Sequence, residues 1–119
     1  MRLFRSLLLP TGLVMTLGLS VPEPVRAADP VQLSITLREH RFEPTELRLP
    51  ARTQAVLTIH NEDAGAEEFE SKALRVEKVI PGHSQGVVRL PPLAPGRYPF
   101  VGEYHESTAK GVLIVEGGP

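Results

Sequence analysis

The chain contains no cysteine, and its only methionines, Met1 and Met15, lie near the amino terminus. The rest of the chain therefore offers no sulfur to a metal ion or to a disulfide, and no site for lipoprotein acylation. An oxidising compartment permits disulfides, and small exported domains usually use them. Here the core must hold the fold unaided. A strongly basic balance is also missing: 13 Lys and Arg face 14 Asp and Glu, for a net charge of −1. A phosphate-tracking nucleic-acid binder would carry a basic face, so no nucleic-acid partner is expected. Signals for catalysis are absent as well. Ser71, Ser84 and Ser107 have no G-x-S-x-G setting, and no glycine-rich loop precedes a helix. The expectation is a protein that is not an enzyme.

What is present begins with a targeting segment. Arg2 and Arg5 make a basic start, Leu7 to Val21 is an apolar run, and Val25-Arg26-Ala27 has the small residues that a signal peptidase reads. Residues 1–27 read as a signal peptide cleaved after Ala27, which predicts a periplasmic or secreted protein. The alternative, an uncleaved anchor, needs a longer run than this one. Cleavage leaves 92 residues, 28–119, with ten basic and thirteen acidic side chains and a net charge of −3. That length supports one small domain, and that charge suits a protein that handles cations.

The remaining chain reads as short strands punctuated by turns. VQLSITL (31–37) alternates with Val31, Leu33, Ile35 and Leu37 on one face. ELRLP (46–50) and QAVLTIH (54–60) follow, then EEFES, LRVEKVIPG (74–82), QGVVRLPPL (85–93), YPFVGEY and GVLIVE (111–116). Twelve prolines and regularly spaced turn signals such as NEDAG and APGR leave no room for a long helix. One short helix over residues 66–74 is the most the pattern allows. The fold class read from this layout is all-β, an antiparallel β-sandwich.

Three stretches carry a resemblance to a known family: RFEPTELRLPARTQAVLTIHNED, EEFESKALRVEKVI and YPFVGEYHESTAKG. Together they resemble a cupredoxin-like domain, in particular the small exported EfeO-type group associated with bacterial iron uptake. The resemblance spans nearly all of residues 28–119 and implies a Greek-key sandwich with metal-ligand positions at one end. It also implies what this chain has lost. Glu67 stands where copper-binding relatives have a histidine, Gly102 where they have the cysteine, and Ala109 where they have the axial methionine. Only His105 is kept. A blue-copper electron-transfer centre needs a His₂Cys set with its sulfur donor, so that role is rejected.

A different site can occupy the same place. The resemblance turns Glu67 inward beside His105, and Glu103 and Glu106 flank that histidine. One imidazole with one to three carboxylates is a hard donor set, suited to Fe, Mn, Zn or Cu(II). The expected metal residues are His105, Glu67 and, as a third, Glu103, holding one copper or iron ion as an accessory to metal uptake. The bland reading pairs Glu67 with Lys110 or Lys72 as an ordinary ion pair. His40, His60 and His83 are expected to be exposed and structural, His40 because Arg38 and Arg41 adjoin it. The rival function is a metal-free module that docks an exported protein or a membrane permease.

Overall fold

The computed structural model describes residues 3–4, 6–24 and 28–117. The expected cleavage site at 25–27 lies outside these residues, as do Arg2, Arg5 and the last two positions. The described residues among 3–24 form no helix or strand, and their side chains are exposed. No helix of the described residues is long and apolar enough to cross a membrane.

Among the described residues nine strands follow: β1 (Val31–Arg38), β2 (Arg41–Glu43), β3 (Glu46–Pro50), β4 (Ala55–Asn61), β5 (Glu67–Ser71), β6 (Val76–Ile80), β7 (Ser84–Leu90), β8 (Gly96–Gly102) and β9 (Lys110–Glu116). One sheet has the order β2-β1-β4-β7 and the other β3-β9-β8-β5-β6. Their inward side chains interdigitate as in any sandwich, with alternate residues of each strand facing the core. Ile35, Leu37, Leu57, Ile59, Val88 and Leu90 of the first sheet meet Leu47, Leu49, Phe69, Ile80, Phe100, Leu113 and Val115 of the second. Among the described residues, every buried side chain belongs to residues 35–115, with Val31 and Leu33 packed partly buried against that core.

The expected all-β sandwich is therefore present, with mixed sheets. β1 runs parallel to β4 and β3 parallel to β9, while the other pairs are antiparallel. Residues 66–74 hold no helix. Glu67, Phe69 and Ser71 alternate inward with Glu68 and Glu70 outward, and β5 hydrogen-bonds β6 on one side and β8 on the other. Tertiary pairing decides the matter where local composition did not.

At one end of the sandwich the loops are tied together by a single buried amide. Asn61 is 2% exposed, and its Nδ2 donates to the carbonyls of Gly65, Ile80 and Pro81 at 2.9–3.2 Å. Its Oδ1 accepts from the Asp63 amide at 3.0 Å, and the Asp63 carbonyl accepts from the His83 amide at 2.9 Å. The β4–β5 and β6–β7 loops are thereby fixed at the same end as the β8–β9 loop. Beneath them Phe42, Phe69 and Phe100 pack with ring centroids 5.1–6.1 Å apart.

Candidate functional site

The site grows from the point where β5 and β8 part company. Phe69 pairs with Gly102, and there the ladder stops. The chain enters a 3₁₀ turn, Glu103–His105, and the next amide on that side would lack a strand partner. The Glu67 carboxylate supplies one. Its Oε1 accepts from the Tyr104 amide at 2.9 Å and from the Glu68 amide at 3.2 Å. Its Oε2 lies 2.5 Å from Nδ1 of His105. Glu67 is 2% exposed, so burial of this carboxylate is compensated by three hydrogen bonds, as such burial requires.

Gly102 makes room for this arrangement. A Cβ at that position would lie 2.7 Å from both Cβ of Ala109 and Cδ of Glu67. The carboxylate has thus taken the space beside residue 102 where a side chain would go. The loop from 102 to 109 closes on itself: Gly102 donates to the Ala109 carbonyl at 2.9 Å and Ala109 to the His105 carbonyl at 2.8 Å. Backbone hydrogen bonds hold its shape.

Two of the three expected metal residues, Glu67 and His105, are therefore in contact. Glu103 stands apart from them. It is exposed, and its carboxyl is held above the usual range first by the charge of Glu68, then by partial burial and a hydrogen bond to Glu68. Among the described residues, no three His, Cys, Asp or Glu side chains converge on one point. Lys72 and Lys110 do not pair with Glu67; both line a shallow cleft with Glu70, Glu103 and Glu106.

One neighbour was not expected. His40, read from sequence as an isolated exposed residue, stacks its ring on that of His105 with centroids 3.5 Å apart and planes within 10°. It sits in the two-residue turn between β1 and β2, where Arg38 pairs with Arg41. Glu39 and His40 both take left-handed conformations, φ 50° and 57°, the type I′ form that favours Asn-Gly. The Asp63 carboxylate accepts from both amides, at 2.7 and 3.0 Å. Burial works against ionisation of Asp63, but those two amides, with the imidazoles beyond them, hold its carboxyl below the usual range. Of Arg38 and Arg41, whose charges argued against a cation here, Arg38 is engaged by Glu62 at 2.7 Å. No local pattern could reveal the stack, because it depends on a turn and a loop far apart in the chain.

The donor chemistry of this end does not fit a blue-copper ion. The thiolate and thioether positions are Gly102 and Ala109, both buried. Nor does an ion fit between Glu67 and His105 as they stand. Two ligand atoms each about 2 Å from a metal in tetrahedral geometry lie over 3 Å apart, against the 2.5 Å found. Glu67 acts as the hydrogen-bond partner of the imidazole through Nδ1, and the ring nitrogen it does not engage is Nε2. His105 is partly exposed, with its side chain 32% accessible, and among the described residues no buried side-chain nitrogen or oxygen lacks a partner.

Comparison with known proteins agrees with this scaffold. A family model for the cupredoxin-like domain matches residues 11–115. An uncharacterised protein of Rickettsia prowazekii (strain Madrid E) is 40% identical over 85 residues, covering 71% of this chain and 68% of its own length. Among solved structures, the metal-binding domain of the Cu(I)-exporting P-type ATPase CopA of Streptococcus pneumoniae D39 superposes with a TM-score of 0.65 at 18% identity, covering 76% of this chain and 91% of that one. Auracyanin A, a blue copper protein of Chloroflexus aurantiacus, gives a TM-score of 0.64 at 17% identity, covering 74% and 100%. At these identities the two structures speak for the fold alone, and the family match over residues 11–115 decides the assignment: the chain belongs to the cupredoxin-like domain family.

Proposed function

We propose that this protein is an exported, non-catalytic cupredoxin-like protein of the EfeO-type group that binds a transition-metal ion as an accessory to copper or iron uptake, and does not carry electrons. The observation that carries the reading is the contact of Glu67 Oε2 with His105 Nδ1. A metal-ligating histidine commonly directs its second ring nitrogen to a carboxylate, which fixes the tautomer and raises the basicity of the ligating nitrogen. Glu67 holds His105 in that manner through Nδ1, so Nε2 is the ring nitrogen not engaged by the carboxylate. The two copper proteins that share the fold lend the reading further support. A site of few protein donors keeps water on the ion, so it exchanges readily, which suits capture and hand-on better than storage.

The test is a calorimetric titration of residues 28–119 with Cu(II), Zn(II) and anaerobic Fe(II). One-to-one binding should be lost in His105→Ala and weakened roughly 10- to 100-fold in Glu67→Gln, which keeps the shape but not the charge. The second reading, a metal-free module that docks an exported partner or a membrane permease, is favoured by the closed Glu67–His105 contact and by the lack of a three-donor cluster among the described residues. Absence of binding for all three ions would leave that reading in place.

A further inference from the structure

We propose that His40 is the second protein ligand of this site, so that a divalent ion of the copper, nickel or zinc type is held between two imidazoles, His105 as the fixed donor and His40 as a movable arm. The inference rests on the reading of His105 as a donor.

The two rings differ in how they are held. His105 is pinned, because its Nδ1 meets a buried carboxylate and its carbonyl accepts from Ala109. The His40 backbone is equally fixed, since Asp63 holds its amide and Asn61 in turn holds Asp63. The His40 side chain is exposed, and among the described residues its ring nitrogens make no hydrogen bond. It can therefore turn about its own torsions while its Cα stays in place. Non-glycine residues in left-handed conformations cost free energy and persist where surrounding structure enforces them. Here two such residues, fastened by a carboxylate from another loop, deliver one imidazole onto another.

With the planes within 10°, the in-plane lone pairs of the two rings lie in nearly parallel planes. No point then lies in the plane of both at bonding distance. A swing of His40 out of the stack, pivoting on its fixed Cα, opens the angle between the planes so that one nitrogen of each ring can point at one ion. The stack keeps the arm close while no ion is bound, which lowers the ordering cost of binding. Asp63 and Glu67 face the pair and Glu62 engages Arg38, so that Arg41 is the one adjoining cation without an ion pair among the described residues.

Two borderline nitrogen donors without sulfur favour ions late in the divalent series, with copper ahead of nickel and zinc, and iron and manganese behind. Water completes the coordination, in keeping with the absence of a third convergent side chain among the described residues.

The experiment uses residues 28–119 carrying His60→Gln and His83→Gln, which leaves His40 and His105 as the only histidines of the four. Cu(II) is titrated against a competing chelator, and pulsed electron paramagnetic resonance counts the remote imidazole nitrogens on the bound ion. Two imidazoles are expected. In the same background His40→Phe preserves a stacking ring but removes the donor. It should leave one imidazole and weaken binding at least about tenfold, with thermal stability unchanged. One imidazole before that substitution, or an affinity unaltered by it, overturns the role of His40 and leaves His105 as a lone donor. Affinity unaltered by His105→Ala, or no Cu(II) binding at all, overturns both this inference and the reading beneath it.

Discussion

At residue 102 a missing side chain and at residue 67 a buried carboxylate are two aspects of one packing solution. A Cβ on Gly102 would come within 2.7 Å of both Glu67 and Ala109, and Glu67 cannot retreat without abandoning the Tyr104 amide and the His105 ring. Gly102→Ala should therefore destabilise the fold by about 1–3 kcal/mol, the usual cost of overpacking a tight interior, measurable by urea denaturation. It should also break the Glu67–His105 hydrogen bond, visible as a shift of the His105 ring resonances. Glu67→Leu tests the other half. It keeps an apolar body in the space but leaves the Tyr104 amide without its acceptor, at about 1–3 kcal/mol. Glu67→Gln can still accept from that amide and should cost less than Glu67→Leu.

Among the elements, the β1–β2 hairpin is the one whose local sequence opposes its conformation. Glu39 and His40 occupy left-handed positions that glycine or asparagine fill at lower cost. Replacing them together, Glu39→Asn with His40→Gly, should stabilise the domain by about 1–2 kcal/mol while removing the imidazole stack. A gain in stability with a loss of metal affinity would mark His40 as retained for binding. Asp63 is what holds the turn in place. Its pKa is lower in the folded protein than its ordinary 3.8, so the stability it contributes is present above that value and is lost as pH falls through the depressed folded value. Acid should therefore loosen the turn, and Asp63→Asn should remove that part of the pH dependence. Nuclear magnetic resonance of the Glu39 and His40 amides, both hydrogen-bonded to this carboxylate, follows the transition directly.

Across the whole molecule, charge is unevenly spread. Glu68, Glu70, Glu77, Glu103 and Glu106 share one outer region of β5, β6 and the 3₁₀ turn, and they act on one another. Glu70 is raised above its usual value first by partial burial and then by Glu103 and Glu77; Glu103 is raised first by Glu68. The sign is opposite to that of Asp63. A carboxyl raised in the folded state favours folding below its ordinary value of 4.5 and works against it as pH climbs through the folded value. Glu103→Gln should accordingly raise the melting temperature at neutral pH and low salt. The gain should shrink at high salt, because exposed charges are screened over a Debye length.

Much of this protein was legible in the order of its residues. Alternation in VQLSITL and QAVLTIH, and the breaks at prolines and glycines, set the strands and the sandwich, because burial of one sheet face demands a period of two. The absence of cysteine, and of methionine beyond Met15, left no sulfur donor for a blue-copper centre, and the family resemblance placed the two sulfur positions at Gly102 and Ala109. The parallel pairing of β1 with β4 and of β3 with β9 was not legible, since strand direction depends on long-range order rather than on any one segment. Nor was the division of labour among the acidic residues. Glu67 and Glu103 look alike in sequence, and only the end of the β5–β8 ladder turns the first inward to an imidazole and leaves the second outside beside Glu68. His40 is the clearest case. Its neighbours in the chain are arginines, and its neighbour in space is His105, brought there by a turn that a carboxylate from the β4–β5 loop holds in a costly conformation. Sequence determined which chemistry was available, because residue types fix the donors; tertiary structure decided which donors face one another, because distance between chain segments is set only when the sheets close.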